Sequence, residues 1–384
     1  MAADPGGSRG AKGAGRPPLP LPAVRRIHSV KAPLILGAGP AGSMAAIHLA
    51  RAGTAPVLVD RDPRVGDALC GGFLSWRTAE RLRAVGLDPV RLGTHTVSEL
   101  ALYGGSRVAT AGLPQAGYGV SRRALDGALR DLAVEAGAQL AIERIRAVAP
   151  RIVEGENGTW HPEAVFLASG KHDVRGAGRP RVADDPALGL RVRLPPAPAL
   201  HALLRGRIEL HLFRGGYAGI VLQEDGSANV CLAVRKSLLA RFGGNPQRLL
   251  DSLADEYPPF AERMAHAPPG LPVDTVGAVP YGYIARATTP GVYRLGDQAA
   301  VIPSMAGEGM GIAVASGALA ARAWLGKQGA PEYQRAFAGQ VRRPVRAAQA
   351  IWALSETPAG AALMARATRI APALARGVMA LTRL

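Results

Sequence analysis

The stretch from Leu34 to Asp60 constrains the fold of this chain more than any other. Leu34-Ile35-Leu36 is followed by Gly37-Ala38-Gly39-Pro40-Ala41-Gly42, an alanine-rich segment to Arg51, a turn at Gly53 and a second apolar run, Val57-Leu58-Val59, that ends in Asp60. This order predicts strand, glycine-rich turn, helix and strand. A lone GxGxxG is a weak signal. Here it leaves a strand, opens a helix and has an acid 18 residues after its last glycine, as a βαβ dinucleotide site requires. Gly37 permits the tight turn, Gly39 lets backbone come close to a pyrophosphate, and Gly42 lets the helix lie close on the sheet. The helix start, with its free N–H groups and about half a positive charge, faces the phosphates. Asp60 is placed to accept hydrogen bonds from ribose hydroxyls.

After Arg61 a polar loop leads to Cys70-Gly71-Gly72, just before a helix over residues 76–85 that Ser75 caps. Backbone lying close to a flat ligand and an ordinary turn account equally well for these glycines. Ser121 caps a second helix over residues 125–136, and a strand over 164–168 runs into Ser169-Gly170-Lys171-His172-Asp173, a basic turn of the kind found beside phosphates. An isolated His172 is more often structural than catalytic. Between residues 188 and 283 the pattern changes to apolar or alternating runs, 207–213, 217–223 and 228–234, which predict an antiparallel sheet followed by a helix over 246–264. Such a sheet can floor a pocket for an apolar substrate. The chain then returns to its first pattern: a short strand over 292–295, Gly296-Asp297, and Gly307-Glu308-Gly309-Met310-Gly311 opening a small-residue helix over 312–324. A second glycine-rich helix start can set backbone N–H groups against the far end of a long cofactor.

A chain of 384 residues, 48% hydrophobic, can bury a large core in two or three lobes. No run reaches the roughly 18 apolar residues of a membrane-spanning helix. Cys70 and Cys231 lie far apart and form no CxxC pair, so neither a disulfide framework nor a metal site is indicated and a reducing cytoplasm is the expected location. The net charge of +17 favours anionic partners, yet arginine is spread along the chain without a nucleic-acid motif, and no nucleic-acid partner is expected. Residues 1–30 read as a disordered basic tail. Residues 342–384 predict alanine-rich helices broken by Pro358 and Pro372. Arg366, Arg369, Arg376 and Arg383 share one side of a helix, and Leu363, Ile370, Leu374, Val378 and Leu381 fall mostly on another. A helix capping the core with a solvated arginine face is the preferred expectation, and peripheral membrane contact the second.

With these motifs assembled, from about residue 31 to 325, the chain resembles the flavoprotein superfamily that contains p-hydroxybenzoate hydroxylase and geranylgeranyl reductase. The resemblance implies an α/β (α+β) architecture. A Rossmann-like FAD-binding domain with a parallel sheet (residues 31–187 and 285–330) is interrupted by a mainly antiparallel-sheet substrate domain (188–284) and followed by C-terminal helices (331–384). It implies that residues 37–42 (Gly37, Ala38, Gly39, Pro40, Ala41, Gly42), Asp60 and Arg61 hold the adenosine end of FAD. Arg122 matches the family arginine beside the flavin. Gly296-Asp297 matches the Gly-Asp motif that contacts the ribityl chain, and Gly307, Gly309, Met310 and Gly311 belong to the turn facing the pyrimidine edge. Cys70-Gly71-Gly72 is similar to the Cys-Gly loop of the geranylgeranyl reductase branch, which makes Cys70 the candidate catalytic residue. Ser169-Gly170-Lys171-His172-Asp173 stands where hydroxylases of the family carry an Asp-Gly motif associated with FAD and nicotinamide.

Two reactions follow from the resemblance, each with NAD(P)H as the expected electron donor. The first is monooxygenation of a hydrophobic aromatic, polyketide or isoprenoid-like compound through a flavin hydroperoxide. The second is reduction of an isoprenoid-type C=C bond, with Cys70 as proton donor or wall residue. A flavin-binding electron carrier without substrate turnover is the expectation from outside enzyme chemistry.

Overall fold

The computed structural model describes residues 26–30, 32–105, 107–180 and 183–384. Its centre is a five-stranded, all-parallel sheet in the order Val292–Arg294, Val165–Leu167, Leu34–Leu36, Val57–Asp60, Gln139–Ile142. The three strands nearest its middle are apolar on both faces, which a parallel sheet covered by helices requires. The helix Pro40–Arg51 crosses from the first strand to the second, and Arg122–Glu135 and Gly309–Leu325 pack on the same face. A four-stranded sheet, Arg26–Val30, Gly158–Pro162, Ile152–Gly155 and Ile145–Ala149, covers another side. The expected tail therefore ends in a strand, Arg26–Val30, parallel to Gly158–Pro162. Residues 1–25 lie outside the described residues.

The second large sheet has eight strands, and it corrects the expectation that residues 188–284 alone supply it. His95–Gly104 and Arg107–Gly119 form a long hairpin, with a register shift between Val97 and Glu99, that joins this sheet together with Phe73–Leu74. Arg207–Phe213 pairs parallel to His95–Gly104, and antiparallel to Gly216–Leu222, so the two sequence-distant parts meet at one parallel junction. Strand periodicity sorts the two faces. Ile208 and Leu210 line the cavity, whereas Glu209 and His211 face the helix Pro258–Met264, where Arg263 pairs with Glu209 at 2.9 Å. The helix expected over 246–264 is two, Pro246–Glu256 and Pro258–Met264, because Pro258 starts a new helix after Tyr257.

At the C-terminal end, Ala330–Ser355, Pro358–Ile370 and Pro372–Leu381 form three helices, with Pro358 and Pro372 each at a first helical position. Their arrangement corrects part of the capping expectation. Leu363, Ile370, Leu374 and Leu381 are exposed rather than packed on the core, and Arg383 is buried rather than solvated.

The helices Pro40–Arg51 and Gly309–Leu325 touch backbone to backbone. A Cβ on Gly317 would lie 2.2 Å from the carbonyl oxygen of Ala41. Gly317→Ala is therefore expected to force the helices apart and to lower stability by about 1–3 kcal/mol, read by urea or thermal unfolding. Unchanged stability would contradict this packing.

Candidate functional site

The carboxyl ends of the parallel strands open into a cavity of about 870 Å³ that runs from the first glycine turn to the C-terminal helices. Its polar part is lined by Ala38, Gly39, Pro40, Ala41, Asp60, Arg61, Cys70, Gly71, Arg122, Gly296, Asp297, Gly307, Gly309 and Met310. Gly37, Gly42 and Gly311, also expected at the site, face the protein instead. A Cβ on Gly37, whose φ is +108°, would lie 2.5 Å from the Ala168 carbonyl oxygen. One on Gly42 would lie 1.9 Å from the Gly37 carbonyl oxygen, and one on Gly311 2.0 Å from Glu308 Oε1. Gly39 and Gly309 differ. Nothing lies within 4 Å of a Cβ on Gly309, and one on Gly39 would meet only Arg122 Nη2, at 3.4 Å, and Asp126 beyond it. Packing explains the first three glycines and leaves the other two free to face a ligand.

The helix Pro40–Arg51 begins with proline and carries no acid in its first turn, so no side chain of its own offsets the N-terminal field that faces the cavity. Asp60, at the end of its strand, accepts the Ala38 N–H at 2.7 Å and stands 3.5 Å from Arg130 Nη2. Arg122 forms a two-pronged pair with Asp126 one helical turn away, at 2.7 and 2.6 Å. Burial works against its charge, but the Asp126 carboxylate outweighs burial and holds Arg122 above its ordinary pKa. Asp297 is fixed from behind. Arg179 donates to its carbonyl oxygen and to that of Lys171, at 3.0 and 2.9 Å, and Gln298 Nε2 donates to the carbonyls of Gly170 and His172. The basic turn after the central strand thus braces the Gly296-Asp297 turn. Burial, with Arg61 and Lys171 adding to it, lowers the His172 pKa and so favours the neutral ring.

Several site residues were not anticipated from sequence. Arg130 lies eight positions after Arg122 on the same helix, a spacing that could have marked it. Asp67 takes hydrogen bonds from the N–H groups of Arg122 and Arg123 and from the Arg191 and Arg193 side chains, pinning the loop before Cys70 to the eight-stranded sheet. Asn229 Nδ2 donates to the Cys70 carbonyl at 3.0 Å. Glu308 is fully buried and pairs with Arg383 at 3.3 Å, and the Arg383 guanidinium lies over the rings of Trp76 and Phe73. Burial raises Glu308 above its ordinary pKa, with Arg383 opposing.

Beyond Cys70 the cavity turns apolar, between the sheet residues Ile208, Leu210 and Leu232 and the helix residues Met364, Val378 and Met379. A small hydroxyl cluster stands in its wall: Tyr217 donates to Ser304 Oγ at 2.8 Å, and Tyr281 Oη lies 2.5 Å from the same atom. Burial raises both phenols well above their usual pKa and keeps them neutral.

Residues 31–146 match the FAD binding domain family. That segment is an FAD-binding domain of the kind that FAD-dependent oxidoreductases carry. The chain is an FAD-dependent enzyme, an oxidoreductase, with FAD as its cofactor. The flavoenzyme is 27% identical over 311 residues, 75% of either chain, to digeranylgeranylglycerophospholipid reductase 2 of Methanopyrus kandleri. In fold it is similar to a geranylgeranyl bacteriochlorophyll reductase-like protein from Thermoplasma acidophilum (TM-score 0.65, 20% identity, 93% of this chain and 100% of that one). It is also similar to pqsL, a probable FAD-dependent monooxygenase from Pseudomonas aeruginosa (TM-score 0.67, 20% identity, 87% and 99%).

Cys70 and Cys231 both line the cavity, but burial, with Cys70 nearby, pushes the Cys231 thiol up to about 12. Burial keeps Cys231 in the thiol form at about pH 8, so iodoacetamide is expected to modify half-buried Cys70 first. Bound FAD is expected to slow that modification. Peptide mass spectrometry showing Cys231 modified as fast as Cys70 would contradict the placement.

Proposed function

We propose that the flavoenzyme reduces a carbon–carbon double bond in a hydrophobic, isoprenoid-like molecule. The observation that carries this reading is the continuity of the cavity: its polar end, with both glycine turns, leads past Cys70 into an apolar compartment closed by the C-terminal helices. The resemblance to a curated lipid reductase over three quarters of the chain supports it.

The polar end fits FAD. The open faces of Gly39 and Gly309 leave room for a ligand that packing alone does not require, and they lie at the starts of two helices. In this reading Asp60 would accept hydrogen bonds from the ribose hydroxyls and the Pro40–Arg51 helix start would face the pyrophosphate. Asp297 would hold the ribityl chain, Arg122 would border the ring system, and the backbone of residues 307–310 would receive its far edge. Reduced FAD, when bound, would supply a hydride, with NAD(P)H as the proposed source of electrons. The chain's own residues do the rest. The apolar compartment excludes water and aligns the double bond, and the Cys70 thiol holds the proton for the second carbon.

Gly39→Val separates cofactor binding from folding, since a Cβ there would meet the Arg122 guanidinium at 3.4 Å and no backbone atom within 4 Å. The variant is expected to fold with parental circular dichroism and to purify without flavin. A yellow variant with parental FAD affinity would refute the assignment of this turn.

Reaction type is read by oxygen dependence. With reduced donor and prenylated substrates the protein is expected to turn over under nitrogen, and Cys70→Ser to lower kcat by about 10²-fold or more while retaining FAD. Product formation only in air, in step with oxygen consumption, would replace this reading with the hydroxylation that the resemblance also implies.

A further inference from the structure

The last two helices, Pro358–Ile370 and Pro372–Leu381, present an outer surface that no other part of the described chain covers. Leu363, Ile370 and Leu374 are 56%, 65% and 61% exposed, and Pro372–Leu381 has no buried residue at all. Single exposed apolar side chains are ordinary, but three on adjoining helices are not. Arg366, Arg369 and Arg376 are exposed on the same two helices. From Thr357 to Leu384 the sequence contains four arginines and no acidic residue. The inner side of these helices lines the apolar compartment through Met364, Ala367 and Val378. Leu354 and Leu374 line the cavity and are also exposed, which marks its mouth at this surface.

We infer that this surface docks on an anionic lipid bilayer, so that the apolar compartment opens toward the acyl chains. An interfacial helix pair needs apolar side chains to enter the headgroup boundary and basic side chains to meet lipid phosphates, and the two helices carry both. Among the described residues no helix is long and apolar enough to cross a membrane, so the contact lies along the surface. A protein partner with an acidic groove would match the charge. The mouth between Leu354 and Leu374 favours the lipid, because an apolar substrate partitions into the same phase that the helices enter. The choice of lipid rests on the apolar substrate proposed above and not on which reaction that substrate undergoes.

Sedimentation of the FAD-loaded protein with phosphatidylcholine vesicles, with and without phosphatidylglycerol, tests it. Three arginines near the surface predict binding tighter to the anionic vesicles by roughly a hundredfold at low salt, falling as salt rises. The pair Leu363→Glu and Ile370→Glu, at exposed positions outside the cavity, is expected to abolish binding with unfolding temperature and FAD content unchanged. Arg366→Gln with Arg369→Gln and Arg376→Gln is expected to remove the anionic preference alone. Absence of binding to any vesicle, or binding that neither set of substitutions alters, overturns the inference. So does light scattering showing that the surface is consumed in a dimer that the Glu variants dissociate.

Discussion

Everything at the cavity's polar end depends on how closely two helices approach. Pro40–Arg51 and Gly309–Leu325 are built from small residues where they meet, and Gly317 leaves no space for a side chain against the Ala41 carbonyl. The contact brings the two N-termini to one opening, where their fields add. The Gly296 turn is drawn into the same contact. Its N–H donates to Ser316 Oγ at 2.8 Å, and a Cβ on Gly296 would meet that of Ala41 at 3.2 Å. Three segments distant in sequence therefore share one geometry, and displacing either helix would move all three.

The second helix start has a further restraint that ties it to the other end of the cavity. Glu308 interrupts the glycine turn and is fully buried, a position in which an unpaired carboxylate would be costly. Arg383 answers it, held between the Trp76 and Phe73 rings and also bonded to the Ala306 carbonyl. A buried pair of this kind adds little net stability, because desolvation offsets the attraction, but losing one partner is expensive. Its effect is positional. The helices that close the apolar compartment are tied to the turn that ends its polar part.

What could be read from sequence was local. The strand-turn-helix-strand opening, the Ser75 and Ser121 caps and the helix breaks at Pro358 and Pro372 all announce themselves within a few residues, and the structure has each of them. What escaped was nonlocal. The hairpin His95–Gly119 alternates weakly, carries Pro114 and finds its partner strand about a hundred residues later, at Arg207–Phe213. Arg383 shares a helical spacing with three exposed arginines, and only the position of Glu308, far away in the chain, sends it inward. Asp67 is one acid in a polar loop until the sheet brings Arg191 and Arg193 to it.

The glycines divide along the same line. A pattern match treats Gly37, Gly39 and Gly42 alike, yet two of them are required by the protein's own backbone and one is not. Gly37 and Gly42 would be demanded by any chain that turned here from strand to helix, whatever it bound. Gly39 has room for a side chain beside Arg122, and nothing in the packing calls for its absence. The same contrast recurs at the second turn, where Gly311 is enclosed by Glu308 and Gly309 is open. A fold can impose a tight glycine, but an open glycine at a helix start is better explained by what approaches it from outside. Two such positions, brought to one cavity by the packing of the helices they begin, are what a single long cofactor with phosphates near one end and a flat ring at the other would require.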